Sequence, residues 1–198
     1  MRNDSDRRVR RTRRALHEAL LALMTEKGYD AVTVQDIIDR ADVGRSTFYT
    51  HFTDKQDLMR SGFVHLRAIL EQPHPGSRAP ELLFRFSLEM FRHVQGQRQL
   101  GRALTGSPSG APVLREMQHL LADLVRNELK ALTPTAPAPD VPTELVVQFV
   151  VAAFLATMAW WAEHGSDDDS PERADALFHA LVTPGVRAAI ALAPNRHQ

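Results

Sequence analysis

Apolar residues recur every third or fourth position through most of the chain, and no stretch shows a sustained strict alternation. Leu16, Leu20 and Leu23 form one such series, Leu82, Phe86, Met90 and Val94 a second, and Met117, Leu121, Val125 and Leu129 a third. That period belongs to helices with one buried face. Clusters of proline, glycine and serine at 73–80, 105–112, 133–143 and 165–171 separate the periodic stretches. The pattern predicts an all-α chain of about nine helices.

Start signals refine the boundaries. Thr33 stands three residues before Asp36, and Asp54 three before Asp57, the spacing of a shortened capping box. Pro80, Pro112, Pro142 and Pro171 sit where a first helical turn tolerates proline. The first helix is expected from about Thr12 to Lys27, stopped by Gly28, and the fourth over 55–72.

Between Thr33 and Phe52 the sequence predicts two brief helices, "VQDIIDRA" and "RSTFYTHF", joined by "DVG". Helices this short are marginal alone and need tertiary support. Two in succession across a three-residue joint have helix-turn-helix spacing. Ile37, Ile38, Val43, Phe48 and Phe52 supply the apolar contacts, and Ala41 is small enough for a close crossing.

On a helical wheel Phe48 and Phe52 fall about 40° apart and mark the inner face. Ser46, Thr47 and Thr50 occupy the opposite arc, with Tyr49 and His51 on the borders. Short hydroxyl and methyl groups allow close approach to base edges in a DNA major groove. Tyr49, His51 and Lys55 can meet phosphates on either wall, which sets register without reading sequence. Arg45 has the fork geometry for a guanine edge. A hairpin packed on another subunit would account for the phenylalanines, but not for the hydroxyl arc.

Charge distribution adds to this picture. The chain has no net charge, yet residues 1–14 hold seven arginines against two aspartates. A basic arm of this kind suits nucleic acid or an anionic surface. Its arginines, Arg10, Arg13 and Arg14 among them, would add salt-dependent affinity for the DNA backbone.

Other chemistry finds little purchase. With no cysteine there is no disulfide framework or thiol site. His17 and Glu18 interrupt what would have to be a signal peptide's apolar run. Residues 145–162 are uncharged and long enough to span a bilayer. Gln148, Thr157 and the acidic flanks Glu144 and Glu163 favour a buried bundle helix instead. Nine histidines and the acidic run at 167–169 show no metal-ligand spacing, and no nucleotide-binding or catalytic motif is present. The expectation is a cytoplasmic protein that is not an enzyme, with no cofactor and no membrane partner.

Residues 27–59, "KGYDAVTVQDIIDRADVGRSTFYTHFTDKQDLM", resemble the DNA-binding domain of the TetR family of bacterial transcriptional regulators. Gly28, Thr33, Ile37, Ala41, Val43, Thr47–Phe48–Tyr49, His51–Phe52, Lys55 and Leu58 carry the likeness. It implies an N-terminal three-helix helix-turn-helix domain and a larger C-terminal helical domain for ligand binding and dimerisation. The boundaries are a basic arm at 1–14, the DNA-binding domain at 12–53 and the regulatory domain at 54–198. It also implies that Thr33, Arg45, Ser46, Thr47, Tyr49, His51 and Lys55 lie at or near the DNA. Gly44 stands where a capping serine is frequent and Ser46 where glycine is frequent, so the base-reading surface is this chain's own.

The tail, residues 160–190, is similar to one branch whose last two helices pair across a two-fold axis. Ala152, Ala156, Ala159 and Glu163 form a stripe permitting close approach of helices, while Val147, Val151, Phe154, Met158 and Trp161 face the subunit's own core. A homodimer would present two recognition helices to a pseudo-palindromic operator in double-stranded DNA. Residues available to line an effector pocket are Phe84, Met90, Phe91, Met117, Phe149, Phe154, Met158 and Trp160, with His93 and His119 as polar groups. Taken singly, each of the apolar ones reads better as plain core. The resemblance implies a repressor released by a small molecule acting through the fourth helix. The alternative is a helical sensor or interaction protein that keeps the fold without specific DNA binding.

Overall fold

A computed structural model of the chain describes residues 2–72, 83–96, 108–132, 141–164 and 170–191. Pro80 and Leu82, and much of each proline-rich cluster, lie outside the described residues. The described residues form eight α-helices and one 3-10 turn, close to the nine or so expected, and contain no strand, as the periodicity predicts. The helices are α1 (Arg2–Lys27), α2 (Val34–Ala41), α3 (Arg45–His51), α4 (Lys55–Leu70) and α5 (Phe86–Gln95). After the 3-10 turn Pro108–Gly110 come α6 (Ala111–Leu132), α7 (Thr143–His164) and α8 (Pro171–Ala191).

The chain divides into two compact units. One lies within Met1–Ile69 and Gln99–Met117, the other within Leu70–Arg98 and Gln118–Gln198. The first unit therefore includes nearly all of α4 and the opening turns of α6.

Helix α1 begins ten residues earlier than its apolar pattern indicates. Residues 2–11 contain neither proline nor glycine and are rich in arginine, a good helix former. No buried stripe is needed to continue a helix already held downstream, so hydrophobic periodicity alone places the start too late. The basic arm is thus the first three turns of α1. Gly28 ends the helix at φ 76°, with its N–H bonded to Met24 O at 3.0 Å.

Leu16, Leu20, Leu23 and Met24 from α1 pack with Ile37, Ile38, Phe48, Phe52 and Leu58 in one core. Val113, from the start of α6, completes it. Beside it the 3-10 turn sits so close to Gly28 that a Cβ there would lie 2.5 Å from Ser109 Oγ. The link is extended by an ion pair between Arg60 and Glu116, 3.5 Å apart.

The second unit is built on aromatic contact. Phe91 and Phe154 have ring centroids 5.0 Å apart, Phe154 and Phe178 5.1 Å, and Phe91 and Trp161 5.6 Å. Leu121, Val125 and Leu129 bury one face of α6 as their spacing predicts, whereas Met117 is only half-buried and belongs to the first unit. On α7, Val147, Val151, Phe154 and Trp161 turn inward. α7 is long and apolar enough to cross a membrane by length and composition. Its burial of one face against α8 and the aromatic core is the arrangement of a bundle helix.

A polar chain runs through this apolar setting. The Ser87 hydroxyl is buried and bonds Phe84 O, Asp175 Oδ1 and His179 Nε2, and His179 Nδ1 meets Thr183 Oγ1 at 3.1 Å. Nearby, Glu128 Oε1 accepts the N–H of Arg85 at 3.2 Å, while its Oε2 is buried with no hydrogen-bond partner among the described residues. Burial pushes the Glu128 carboxyl up from its ordinary value.

Candidate nucleic-acid interface

The site is assembled from α1, the two short helices and the turn that joins them. Thr33 caps α2 with a reciprocal set of bonds: its Oγ1 accepts Asp36 N–H at 3.1 Å, and its own N–H donates to Asp36 Oδ2 at 2.7 Å. Lys27 Nζ lies 2.8 Å from the same carboxylate oxygen. Lys27 and the Thr33 donors hold the Asp36 carboxyl well below the usual carboxylate range. At α4 the second capping pair appears in a variant form. Asp54 Oδ1 accepts Asp57 N–H at 2.7 Å, and Asp57 Oδ2 accepts from Thr53 N–H, not from Asp54.

The joint between α2 and α3 turns at Asp42. Its φ of 51° is left-handed, and its N–H points back to Asp39 O and Ile38 O. Val43 N–H then bonds Ile38 O at 3.0 Å. Gly44, the glycine of the predicted joint, has an ordinary φ of −64° and serves as the N-cap of α3, with no side chain to cap it. The turn therefore depends on Asp42, which can enter the left-handed region because its short polar side chain tolerates it.

Helix α3 presents the face drawn on the wheel. Phe48 is fully buried and Phe52, just beyond the helix, nearly so. Arg45, Ser46, Tyr49 and Thr50 are exposed, and Thr47 and His51 half-buried. Tyr49 stands 49% exposed, its ring edge against Phe48 at 5.3 Å. Arg45 is held from two sides: its guanidinium lies 5.8 Å from the Tyr49 ring centroid, and Nη1 donates to Gln35 Oε1 at 3.4 Å. Gln35 in turn donates to Asp39 Oδ1 at 2.8 Å. Gln35 was not singled out by its sequence position, because its partner is ten residues away on another helix.

The arm's arginines differ in their surroundings. Arg10 is exposed on α1, Arg14 pairs with Glu18 at 2.6 Å, and Arg13 lies over the Phe52 ring at 5.1 Å. Behind Phe52 sits His17, whose Nε2 is 2.9 Å from Ser61 Oγ. Ser61 Oγ also lies 2.9 Å from Leu58 O, to which it can donate. Burial, with Arg13 and His65 adding repulsion, holds His17 down to about 4.

Lys55 is engaged within the protein. Its Nζ donates to the carbonyls of Tyr29, Asp30 and Val32 at 3.0, 3.1 and 2.8 Å. The ammonium has three N–H groups, and three acceptors receive them.

The candidate pocket residues separate in space. Phe84, Met90, Phe91 and Phe154 are buried together in the second unit. Met158 is half-buried, while Phe149, Trp160, His93 and His119 lie on the exposed surface. A helix apolar on every side gives no sequence signal of which side turns inward, and α7 is such a helix. Its outer side carries Leu145, Phe149, Ala152, Ala156 and Trp160, with Ala159 half-buried and Glu163 exposed beyond them. Leu181 on α8 is 72% exposed.

Comparison with known proteins agrees with this geometry. Residues 16–61 match the family described as bacterial regulatory proteins, tetR family. Residues 82–182 match that of the transcriptional regulator C-terminal region. The HTH-type transcriptional repressor KstR of Rhodococcus jostii is 27% identical over 183 residues, covering 88% of this chain and 84% of that protein. The HTH-type transcriptional regulator YxbF of Bacillus subtilis is 42% identical over 57 residues, which are 28% of this chain and 15% of that one. A TetR transcriptional regulator from Streptococcus agalactiae shares the fold with a TM-score of 0.60 at 24% identity, covering 92% of this chain and 99% of the other. A helix-turn-helix unit and a regulator-type C-terminal region in one chain leave a single assignment: the chain belongs to the TetR family and is a DNA-binding transcriptional regulator.

Proposed function

We propose that the chain is a homodimeric repressor that holds a pseudo-palindromic operator and releases it when a small molecule binds the second unit. Arg45, Ser46, Thr47 and Thr50 read base edges. Tyr49, His51 and Thr33, with Arg10, Arg13 and Arg14, hold the backbone. The action is binding, without catalysis, and takes place in the cytoplasm.

The observation that carries this reading is α3 itself. Its phenylalanine is sunk in the core while a guanidinium, two hydroxyls and a phenol stand in solvent on the other side. Burying Phe48 fixes the helix, and the polar arc is left for a partner with hydrogen-bonding edges. Repression is favoured by KstR, a repressor aligned over most of the chain. Dimerisation through α7 and α8 is favoured by the exposed Leu145, Phe149, Trp160 and Leu181 around Ala152 and Ala156. Apolar surface of that kind on two neighbouring helices is what a symmetric helical interface covers. Effector binding is assigned to the neighbourhood of Phe84, Met90, Phe91, Phe154 and Met158.

A gel shift at physiological salt, with DNA flanking its own gene and unrelated competitor DNA, tests the proposal. The expected result is a shift that survives competitor and maps to an inverted repeat. Loss of every shift on adding competitor would remove sequence-specific regulation as the function. Repeating the shift with a panel of lipophilic and cationic compounds tests release.

A further inference from the structure

We propose that Lys55 is a positioning residue of the DNA reader, a half-buried cation that clamps the α1–α2 turn to the start of α4 and makes no phosphate contact. The role rests on the proposed DNA binding for its consequence, though not for its geometry. A lysine at the head of a helix beside a recognition helix invites assignment to the DNA backbone. Its surroundings argue otherwise.

Three carbonyls from one turn converge on the Lys55 ammonium within 3.1 Å, and the Tyr29 ring lies 4.6 Å from it. Such convergence arises because α1 stops at Gly28 in a left-handed conformation and the chain folds back, with Val32 N–H bonded to Tyr29 O. Carbonyl oxygens gathered in this way repel one another, and a shared cation offsets that repulsion. The compact ammonium supplies it, and the ring face adds attraction. Asp54 and Asp30 are close enough to Tyr29 to raise the pKa of its hydroxyl, after burial itself.

What the clamp joins explains its use. Val32 is followed at once by the Thr33 cap of α2, and Lys55 follows the Phe52–Asp54 joint that ends α3. One side chain thus ties the segment entering the helix pair to the segment leaving it. Without the tie, α2 and α3 would still form, but their attitude on α1 and α4 would loosen. Specific binding requires bases and side chains in register, whereas nonspecific binding requires only charge near phosphate. The loss therefore falls on specificity.

The salt dependence of binding separates the two roles. Full-length wild type, Lys55→Met and Lys55→Arg would be titrated against a duplex selected from a random pool by the wild type, and against an unrelated duplex. Anisotropy would be read across a range of salt, and hydrogen exchange followed on the free proteins. A phosphate contact predicts that Lys55→Met lowers the salt slope by about 0.9 per protomer. It also predicts that Lys55→Arg binds like wild type, since a guanidinium serves a phosphate well.

The clamp predicts an unchanged slope on the unrelated duplex and a loss of at least ~10-fold on the selected duplex alone. Under the clamp Lys55→Arg fails as Lys55→Met does, because a planar fork cannot place donors on three converging carbonyls. Amides of residues 29–34 would exchange faster in both variants. Wild-type-like binding and exchange in Lys55→Arg, or a reduced slope in Lys55→Met, would overturn the proposal. If Lys55→Met does not fold, Lys55→Arg decides alone. If the random pool yields no preferred sequence, specific DNA binding fails as the function, and exchange at 29–34 still judges the clamp.

Discussion

Thr33 and Asp36 bond one another in both directions across the first turn of α2, and Lys27 at the end of α1 shares the same carboxylate. An eight-residue helix has little stability of its own, so its cap is a large part of what holds it. Thr33→Ala should cost about 1 kcal/mol in urea unfolding, and Asp36→Ala should also destabilise. Thr33→Ser should cost much less, since the hydroxyl is kept. The Asp36 carboxyl titrates below the ordinary range, so its stabilisation is present above the unfolded-state value and is lost as pH falls through that depressed range. Wild type should lose this increment in acid and Asp36→Ala should have none to lose.

The α2–α3 turn should accept improvement at two positions. Asp42 pays for a left-handed backbone that glycine adopts freely, so Asp42→Gly should stabilise by ~0.5–1 kcal/mol. Gly44 is an N-cap with ordinary φ, and a Cβ there would meet only Thr47 Oγ1, at 3.8 Å. Gly44→Ser should add roughly 0.5–1 kcal/mol through a cap bond and a stiffer unfolded chain. Thermal denaturation of the single and double variants checks both; a loss at either position would contradict the turn geometry.

Gly28 should tolerate nothing larger. Gly28→Ala forces a side chain into the left-handed region, at about 1–2 kcal/mol, and drives its Cβ into Ser109. Adding Ser109→Gly should recover the contact part of the loss and leave the backbone part. Full recovery in the double variant would mean that the backbone contributes nothing.

His17 makes the first unit sensitive to acid. Its folded-state value of about 4 lies below the ordinary 6.5, so the unfolded chain binds more protons between those values. Stability should rise with pH across that window, be complete above about 6.5, and fall away as pH drops toward 4. His17→Gln keeps a polar partner for Ser61 and should flatten the dependence. Hydrogen exchange of α1 and α4 peptides at several pH values would show it.

Glu128 should act in the opposite sense in the second unit. Its carboxyl is pushed up by burial, so the folded chain holds the proton more tightly, and stability falls as pH rises through the raised value. Glu128→Gln should therefore stabilise the second unit at neutral pH and weaken its pH dependence. Both tryptophans lie in that unit, so their fluorescence reports its unfolding.

Much of this protein was legible along the chain. The 3.6-residue period at Leu121, Val125 and Leu129, the Thr33–Asp36 spacing and the Phe48/Phe52 floor are local relationships, fixed by bond geometry and by the need to bury apolar faces. They define the helices, the helix-turn-helix and the outward arc of α3 without reference to anything distant. Where a preference is not written locally, the pattern misled or fell silent. It placed the start of α1 at its first buried residues, although arginines sustain the helix upstream. The joint "DVG" holds a glycine, Gly44, yet the backbone turns at Asp42. The pattern could not choose an inner side for α7, which is apolar all round, so Phe149 and Trp160 were grouped with residues they do not join. The tertiary structure alone decided that Val113 completes the first core, that Gln35 steadies Arg45, and that three carbonyls of one turn claim the ammonium of Lys55. Each of those contacts joins residues 10 to 97 positions apart. Only the packed chain brings such partners within reach, and no short-range period in the sequence encodes them.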